Sequence, residues 1–584
     1  MGPYVRLVGE GAVGGAGGGS GRRTEVERAR VGRPPAGGER RPSVRVLPWW
    51  AYTVGATVIA ALTGVAIWFL LGEAGGDAKL RIEAIRTGLT VGLGAGGAFA
   101  LVINARRQWL QERAHNHQEQ VDALAHAHQE RLHAHQEQRA EAADRDAAER
   151  RITELYNAAA EQLGSDKAPV RLTALYTLER LANDNPAHRQ TIVNIICAYL
   201  RMPYTPPVAP GPEEEHRERA RRNAARFRAA RAGQPAPAEP AGPPVPDPHE
   251  EHQVRLTAQR LLHTHLRPDT DVHWAGISLD LTGATLTDFT LTGCHLHTAD
   301  FTHAAFTGDA GFGEACFAGD AWFGEASFAR GARFGEASFS RDARFDEACF
   351  AGDAWFGEAS FARGARFDGA LFAGDAWFGK ASFARDAWFG EASFARDAWF
   401  GKATFAGDAW FEVASFARSA RFGGATFSGD ARFGGAAFSG DARFGGTFFA
   451  GDAWFGRAAF AGDTGFGRAT FSGDARFGRA TFSGDARFGE VTFSRDARFD
   501  GVTFSRDVRF DGASFSWPAW FGGVFFAGDA RFGRASFPHG VEFEAARVAD
   551  VGSAHLIPDG WRIEPTEGGE GRFVRETAQP SSST

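Results

Sequence analysis

Side chains able to do covalent or metal chemistry are few in this chain and poorly grouped. Six histidines (His115, His117, His126, His128, His133 and His135) crowd into one polar stretch. Those two residues apart, as 126/128 and 133/135, lie about 200° apart on a helix, so they do not converge on one metal ion. Pairs at heptad-like positions, 126/133 and 128/135, share a face. That pattern suits a solvated helix surface or a pH- or metal-sensitive coiled coil. The four cysteines, at 197, 294, 316 and 349, form no close pair with metal or redox spacing, as fits a reducing compartment. Between Ala304 and Pro538 there is no His or Tyr, and the only lysines are Lys380 and Lys402. Asp recurs there at equivalent places, whereas an active site must differ from its surroundings. No nucleophile–base set and no phosphate-binding loop stands out. The chain therefore reads as non-enzymatic, with no catalytic residue, no cofactor and no metal ligand assigned.

The element that dominates the chain is a repeat. Phenylalanine recurs in alternating steps of six and five residues, a full period of 11. One series runs from Phe306 through Phe317 and Phe328 to Phe537, the other from Phe312 through Phe323 and Phe334 to Phe543. Together they use 44 of the 52 phenylalanines. A small residue, nearly always Ala, stands two before each Phe. In an extended segment residues two apart face the same side, so Ala and Phe point inward and the residue between them points out. Gly, Asp, Glu and Arg fill the corners. Such short extended pieces cannot bury a core alone, and stacking them into a solenoid creates one. A helical supercoil of the same period is the competing architecture, and the Gly in nearly every unit argues against it.

The entrance to the array is simpler. Leu281, Leu286, Leu291, Leu296, Phe301 and Phe306 are spaced by five. Thr-Gly-Ala-Thr-Leu at 282–286 and His-Thr-Ala-Asp-Phe at 297–301 resemble the A-(D/N)-(L/F)-x-x unit of the pentapeptide-repeat family. The resemblance covers about 270–548. It implies a right-handed quadrilateral β-helix with four units per coil and the Leu, Phe and minus-two Ala inside. Every second unit carries one extra residue, so each coil is two residues longer than the family's plain pattern. Roughly 12 coils at ~4.8 Å each make a rod about 60 Å long.

Between the inward residues of the second Phe series stand Trp or Arg, as at Trp322, Arg333, Arg344, Trp355 and Arg366, and with about 22 residues per coil these split onto two opposite faces. Asp320, Asp342, Asp353 and Asp375 sit two residues before such positions. One reading is an external ladder of Arg–Trp stacks and Arg–Asp pairs, each worth under ~1 kcal/mol. The other is a contact surface for a protein, since Trp and Arg are enriched in binding hot spots. The run Trp377, Trp388, Trp399 and Trp410 is the candidate protein-contact face. Some pentapeptide-repeat proteins mimic DNA and bind gyrase through a strongly acidic surface. Residues 301–543 hold 30 Asp/Glu and 25 Lys/Arg, interleaved, so the one-signed field of a DNA mimic is missing. Direct DNA binding, which needs net positive charge, is disfavoured as well.

The rest of the chain divides by composition. Residues 1–46 are Gly/Arg-rich and read as disordered. A transmembrane hairpin is expected over 47–104, with spans at 47–71 and 87–104. Arg40, Arg41 and Arg45 precede it, and Arg106, Arg107 and Arg113 follow. The positive-inside rule then places both termini in the cytoplasm, at the plasma membrane, against the opposing pull of Lys79, Arg81 and Arg86 in the hairpin loop. Residues 105–163 read as a polar helix and 164–202 as a helical pair, similar to a HEAT-type hairpin. Pro169 and Pro186 open its two helices, the second behind Asn185 as cap. Residues 203–250 read as a disordered insertion and 251–268 as a helix capping the array. Residues 549–584 read as a C-terminal cap and a tail disordered from about 563. Val-Arg-Leu-Thr-Ala occurs at both 170–174 and 254–258. The helices carrying it are expected to form one small bundle over the first coil, because an open strand edge invites aggregation.

The layout, with its E-R-R-I-T-E-L-Y stretch at 149–156, resembles membrane-anchored pentapeptide-repeat proteins of actinobacteria. The expected function is a non-enzymatic, membrane-tethered interaction scaffold serving an unknown cytoplasmic protein partner, with oligomers possible. A topoisomerase-binding or resistance protein and a membrane-linked sensor or signalling protein are the alternatives.

Overall fold

A computed structural model describes residues 48–73, 76, 78–207, 248–566 and 568–576. Residues 1–46, the centre of the 203–250 insertion and the last residues of the tail lie outside the described residues. The chain forms two compact units, 1–140 and 141–584.

In the first unit, α1 (Trp49–Glu73) and the start of α2 (Ala78–Leu163) pack as an antiparallel hairpin. Glycine makes their approach possible. A Cβ on Gly92 would stand 2.7 Å from Thr63 Cγ2, and one on Gly55 2.9 Å from the Phe99 ring. Trp49–Glu73 and Ala78–Trp109 are both long and apolar enough to cross a membrane. The expected boundary at 104/105 is a change of side-chain polarity only, because α2 continues unbroken for 86 residues.

The second unit holds the end of α2, three further helices and the solenoid. Ile152, Tyr156, Ala159 and Leu163 recur at helical spacing on α2, and the last three pack into the bundle core. Around them lie α3 (Ala168–Asp184), α4 (Arg189–Arg201) and α5 (Pro248–Leu266). Asn185 does not cap α4 as expected. Its backbone N–H and side-chain Nδ2 both donate to Leu181 O, ending α3, and a 3-10 turn over Pro186–His188 leads into α4. The ends of the insertion are ordered: Pro248 starts α5, and the Tyr204 ring lies 4.4 Å from the Arg255 guanidinium.

The repeated Val-Arg-Leu-Thr-Ala phrase gains a physical meaning here. Both of its arginines are buried, and both bind Glu251: Arg171 at 3.1 Å and Arg255 at 2.8 Å. The Tyr199 hydroxyl donates to the same carboxylate, and Arg255 also donates to Leu200 O and Met202 O. One acid therefore ties α3, α4 and α5 together. The bundle then sits on the first coil. Gln190 exchanges hydrogen bonds with Ser278, Gln259 does so with Thr287, and Arg201 pairs with Asp280.

The solenoid has four parallel sheets of two-residue strands, one strand per sheet in each coil. Sheet one runs from Leu279–Asp280 to Val541–Glu542, and sheet two starts at Thr285–Leu286. Sheet three runs from Ala310–Gly311 to Ala530–Arg531, and sheet four from His295–Leu296 to Ser514–Phe515. Chain order visits them in turn, so one and three are opposite faces, as are two and four. Each strand pairs with its equivalent one coil on, two Phe periods further along the chain, as in Ala332 against Ala354. Early coils are shorter, with Leu279 against Ala299. Inside, each Phe stacks on its equivalent one coil away, Phe334 on Phe356 at 4.7 Å and 1°. Neighbouring columns meet edge-to-face, Phe356 and Phe367 at 5.3 Å and 89°. Both geometries suit the ring quadrupole.

The C-terminal end is closed differently from expectation. Residues beyond 563 do not simply trail away. Trp561–Pro565 and Gly571–Arg575 form an antiparallel hairpin, and its second strand pairs with Arg547–Val548. Phe573 stacks on Phe543 at 4.5 Å, covering the last ring of the core.

At the corner after each second-series Phe, the chain makes a tight turn whose third residue has positive φ. Ala403 N–H donates to Phe400 O, and Lys402 between them has φ 60°. Gly fills this place at 369, 424 and 435, whereas Glu, Lys or Arg fills it in many other coils. Val413, β-branched, sits there at φ 59°. A left-handed L-residue costs about 1–2 kcal/mol, and Val413 is 63% exposed, so it recovers little by packing. Val413→Gly is expected to raise stability by about 1 kcal/mol, read as a higher urea midpoint. Deleting 168–267 removes the cap from the first strand edges and is expected to turn the soluble portion into an aggregating rod. A monodisperse monomer by light scattering would reject that role for the bundle.

Candidate interaction surface

Cys197 and Cys294 are buried, and burial pushes both thiols up to about 12. Neither supplies thiolate at neutral pH. Cys316 and Cys349 occupy outward ranks where other coils carry Ser or Thr. Lys380 and Lys402 are corner residues, and Lys380 pairs with Glu358 of the preceding coil at 2.7 Å. Among the described residues no group of three or more His, Cys, Asp or Glu could hold a metal ion.

The outward ranks of sheets one and three are built from three repeated interactions. First, Asp carboxylates bridge coils. Asp430 N–H donates to Asp408 Oδ1 at 3.0 Å, Asp452 N–H to Asp430 Oδ1 at 3.1 Å, and Asp474 N–H to Asp452 Oδ1 at 3.0 Å. Each Asp is thus a fastener for the backbone of the next coil. Second, the Arg two residues on reaches the acids. Arg476 lies 2.9 Å from Asp474 and 3.4 Å from Asp452. Third, Arg covers Trp of an adjoining coil: Arg432 over Trp410 at 3.9 Å and Arg476 over Trp454 at 4.2 Å. These contacts match the external ladder. Each Arg/Trp rank runs beside a row of Asp two residues earlier in the chain, so neither face carries a one-signed field. Burial pushes the Asp368 carboxyl above its ordinary range, against the pull of Arg366 and of the Gly390 N–H.

The four tryptophans do not form one patch. Trp377 pairs in register with Trp399 on sheet three, and Trp388 with Trp410 on sheet one, the opposite face. Successive members of the run are half a coil apart, so the run alternates sides. Trp377 and Trp399 stack with centroids 3.5 Å apart, and Arg421 covers Trp399 at 5.3 Å. Trp377 is 36% exposed. On the other face, Arg366 and Arg432 flank the pair, and the covered Trp410 Nε1 has no hydrogen-bond partner.

Two features escape a reading of the sequence alone. The outward ranks of sheets two and four carry hydroxyls: Ser382, Thr404 and Thr426 on sheet four, and Ser393 and Ser415 on sheet two. Their signal is the residue before each first-series Phe, read one full coil at a time. Leu371 and Phe448, both strongly exposed, interrupt these ranks. The Glu251 junction is the second feature.

A four-sided parallel solenoid with a Phe core and laddered faces is a structural repeat fold of the kind used for protein interaction. The array belongs to the pentapeptide-repeat family: that family's model matches nine copies between residues 317 and 514. No curated protein and no solved structure matches the chain.

Asp430→Ala removes the acceptor of the Asp452 N–H and one partner of Arg432. It is expected to cost about 1–3 kcal/mol, with Asp430→Asn recovering part of the loss in the same denaturant titration.

Proposed function

We propose that the chain is a non-enzymatic scaffold, tethered at the plasma membrane by its α1–α2 hairpin, that presents the solenoid to a protein in the cytoplasm. The observation that carries this reading is the combination of two long apolar helices with a solenoid whose repeated Trp, Arg and Asp side chains lie on its outside. Cytoplasmic placement follows from the Arg residues flanking the spans. The sheet-three face is the proposed contact, since Trp377 and Trp399 give a stacked, partly exposed indole pair. On sheet one the Trp410 N–H is covered and cannot donate to a partner.

The test is proximity labelling in cells with three forms of the full chain. The intact protein is compared with Trp377→Ser/Trp399→Ser and with Trp388→Ser/Trp410→Ser. Loss of a labelled protein set in the first variant, with the second unchanged, is the expected result. Identical labelling in all three would reject the sheet-three contact.

A further inference from the structure

Helix α2 carries an amphipathic stretch that nothing in the structure covers. From Val121 to Arg151 every side chain is exposed except Ala127, which is intermediate. Val121, Leu124 and Leu132 are 52%, 71% and 48% exposed. At 100° per residue, Val121, Leu124, His128, Leu132 and His135 fall within an arc of about 80°. Glu119, Glu130, Glu137 and Glu141 fall on the opposite side, within about 40° of one another. This is a narrow apolar and imidazole stripe backed by an acidic row. The heptad pairs 126/133 and 128/135 are thus not equivalent: His128 and His135 lie in the stripe, and His126 and His133 lie outside it.

We propose that this stripe is the seam of a parallel, in-register homodimer, so that the chain's partner along α2 is a second copy of itself. Three features of the chain select that occupant. Long helices in water draw their stability chiefly from packing an amphipathic face, and this one is otherwise bare. Two copies anchored by the same hairpin leave the bilayer in one direction at one height, which brings Val121 opposite Val121 and Leu124 opposite Leu124. This step rests on the membrane reading above. Finally, from Val121 to His135 the stripe is the self-complementary face: it holds no carboxylate there, whereas the Glu row would meet another Glu row. Spacings of three, four and four residues close on a hendecad, a period that favours a nearly straight or right-handed pair.

The test is disulfide scanning of the full chain in native membranes. Cys316→Ser and Cys349→Ser form the background, with the buried Cys197 and Cys294 retained. Single cysteines are placed at Val121, Leu124, His128 and Leu132, and for comparison at Ala123, His126 and Glu130. Copper phenanthroline is the oxidant. The stripe positions are expected to give at least fivefold more crosslinked dimer than the comparison positions. In uncrosslinked protein, Leu124→Glu/Leu132→Glu is expected to abolish the dimer in chemical crosslinking at primary amines. A flat profile, a maximum on the Glu face, or a dimer that survives the double substitution overturns the proposal. Carbonate extraction of the same samples reports the membrane reading separately. Extractable protein that still crosslinks along the stripe rejects the anchor and keeps the seam.

Discussion

Everything in the solenoid depends on one distance: the spacing of parallel strands equals the spacing at which phenyl rings stack. A strand ladder sets about 4.8 Å between coils, and the rings of Phe356 and Phe378 lie 4.8 Å apart. Backbone hydrogen bonding and core packing therefore ask for the same rise. That agreement permits an uninterrupted column, and it explains why the minus-two position must stay small. Ala there leaves room for rings from adjoining columns to meet edge-on. Where the residue grows, the chemistry adjusts locally. The Thr447 hydroxyl, buried, donates to Phe422 O, and Val491, Val502 and Val508 fill the same place near the C-terminal end.

The outside obeys the same rise with different chemistry. A carboxylate can accept a backbone N–H from the next coil and still face a guanidinium, so Asp serves both backbone and side-chain ladders. Indole and guanidinium planes tolerate the same separation. The surface is consequently committed to its own neighbours to a large degree. What it offers a partner is ring edges, spare N–H groups and the hydroxyl ranks of the other two sheets.

Much of the solenoid is legible in the sequence because its determinants are periodic. Phe and Ala spacing set the strands, the register and the inward side. The positions that periodicity describes poorly are the ones a linear reading misjudges. Four evenly spaced tryptophans form one run along the chain, yet the 22-residue coil already sorts such positions onto opposite faces, and the fold places neighbours in the run half a coil apart. Asn185 has the composition of an N-cap, yet its amide is drawn to the open carbonyl of the preceding helix. The hairpin at 561–575 is hidden because its strands are short and flank Gly568 and Gly569, and only closure over Phe543 makes them worth forming. Likeness between the two Val-Arg-Leu-Thr-Ala phrases is visible, but their meeting on Glu251 is not, because Glu251 belongs to neither phrase.

The half-coil repeat has a consequence for how such a chain can change length. Half-coil units are nearly interchangeable, so inserting or removing one would leave the stacking rise and the core intact. It would also turn everything beyond the edit by half a revolution, exchanging sheet one with sheet three. Adding or removing a whole coil changes the length of the rod and preserves its faces. The molecule is thus a ruler with two kinds of graduation, one that sets reach and one that also reverses which side looks outward.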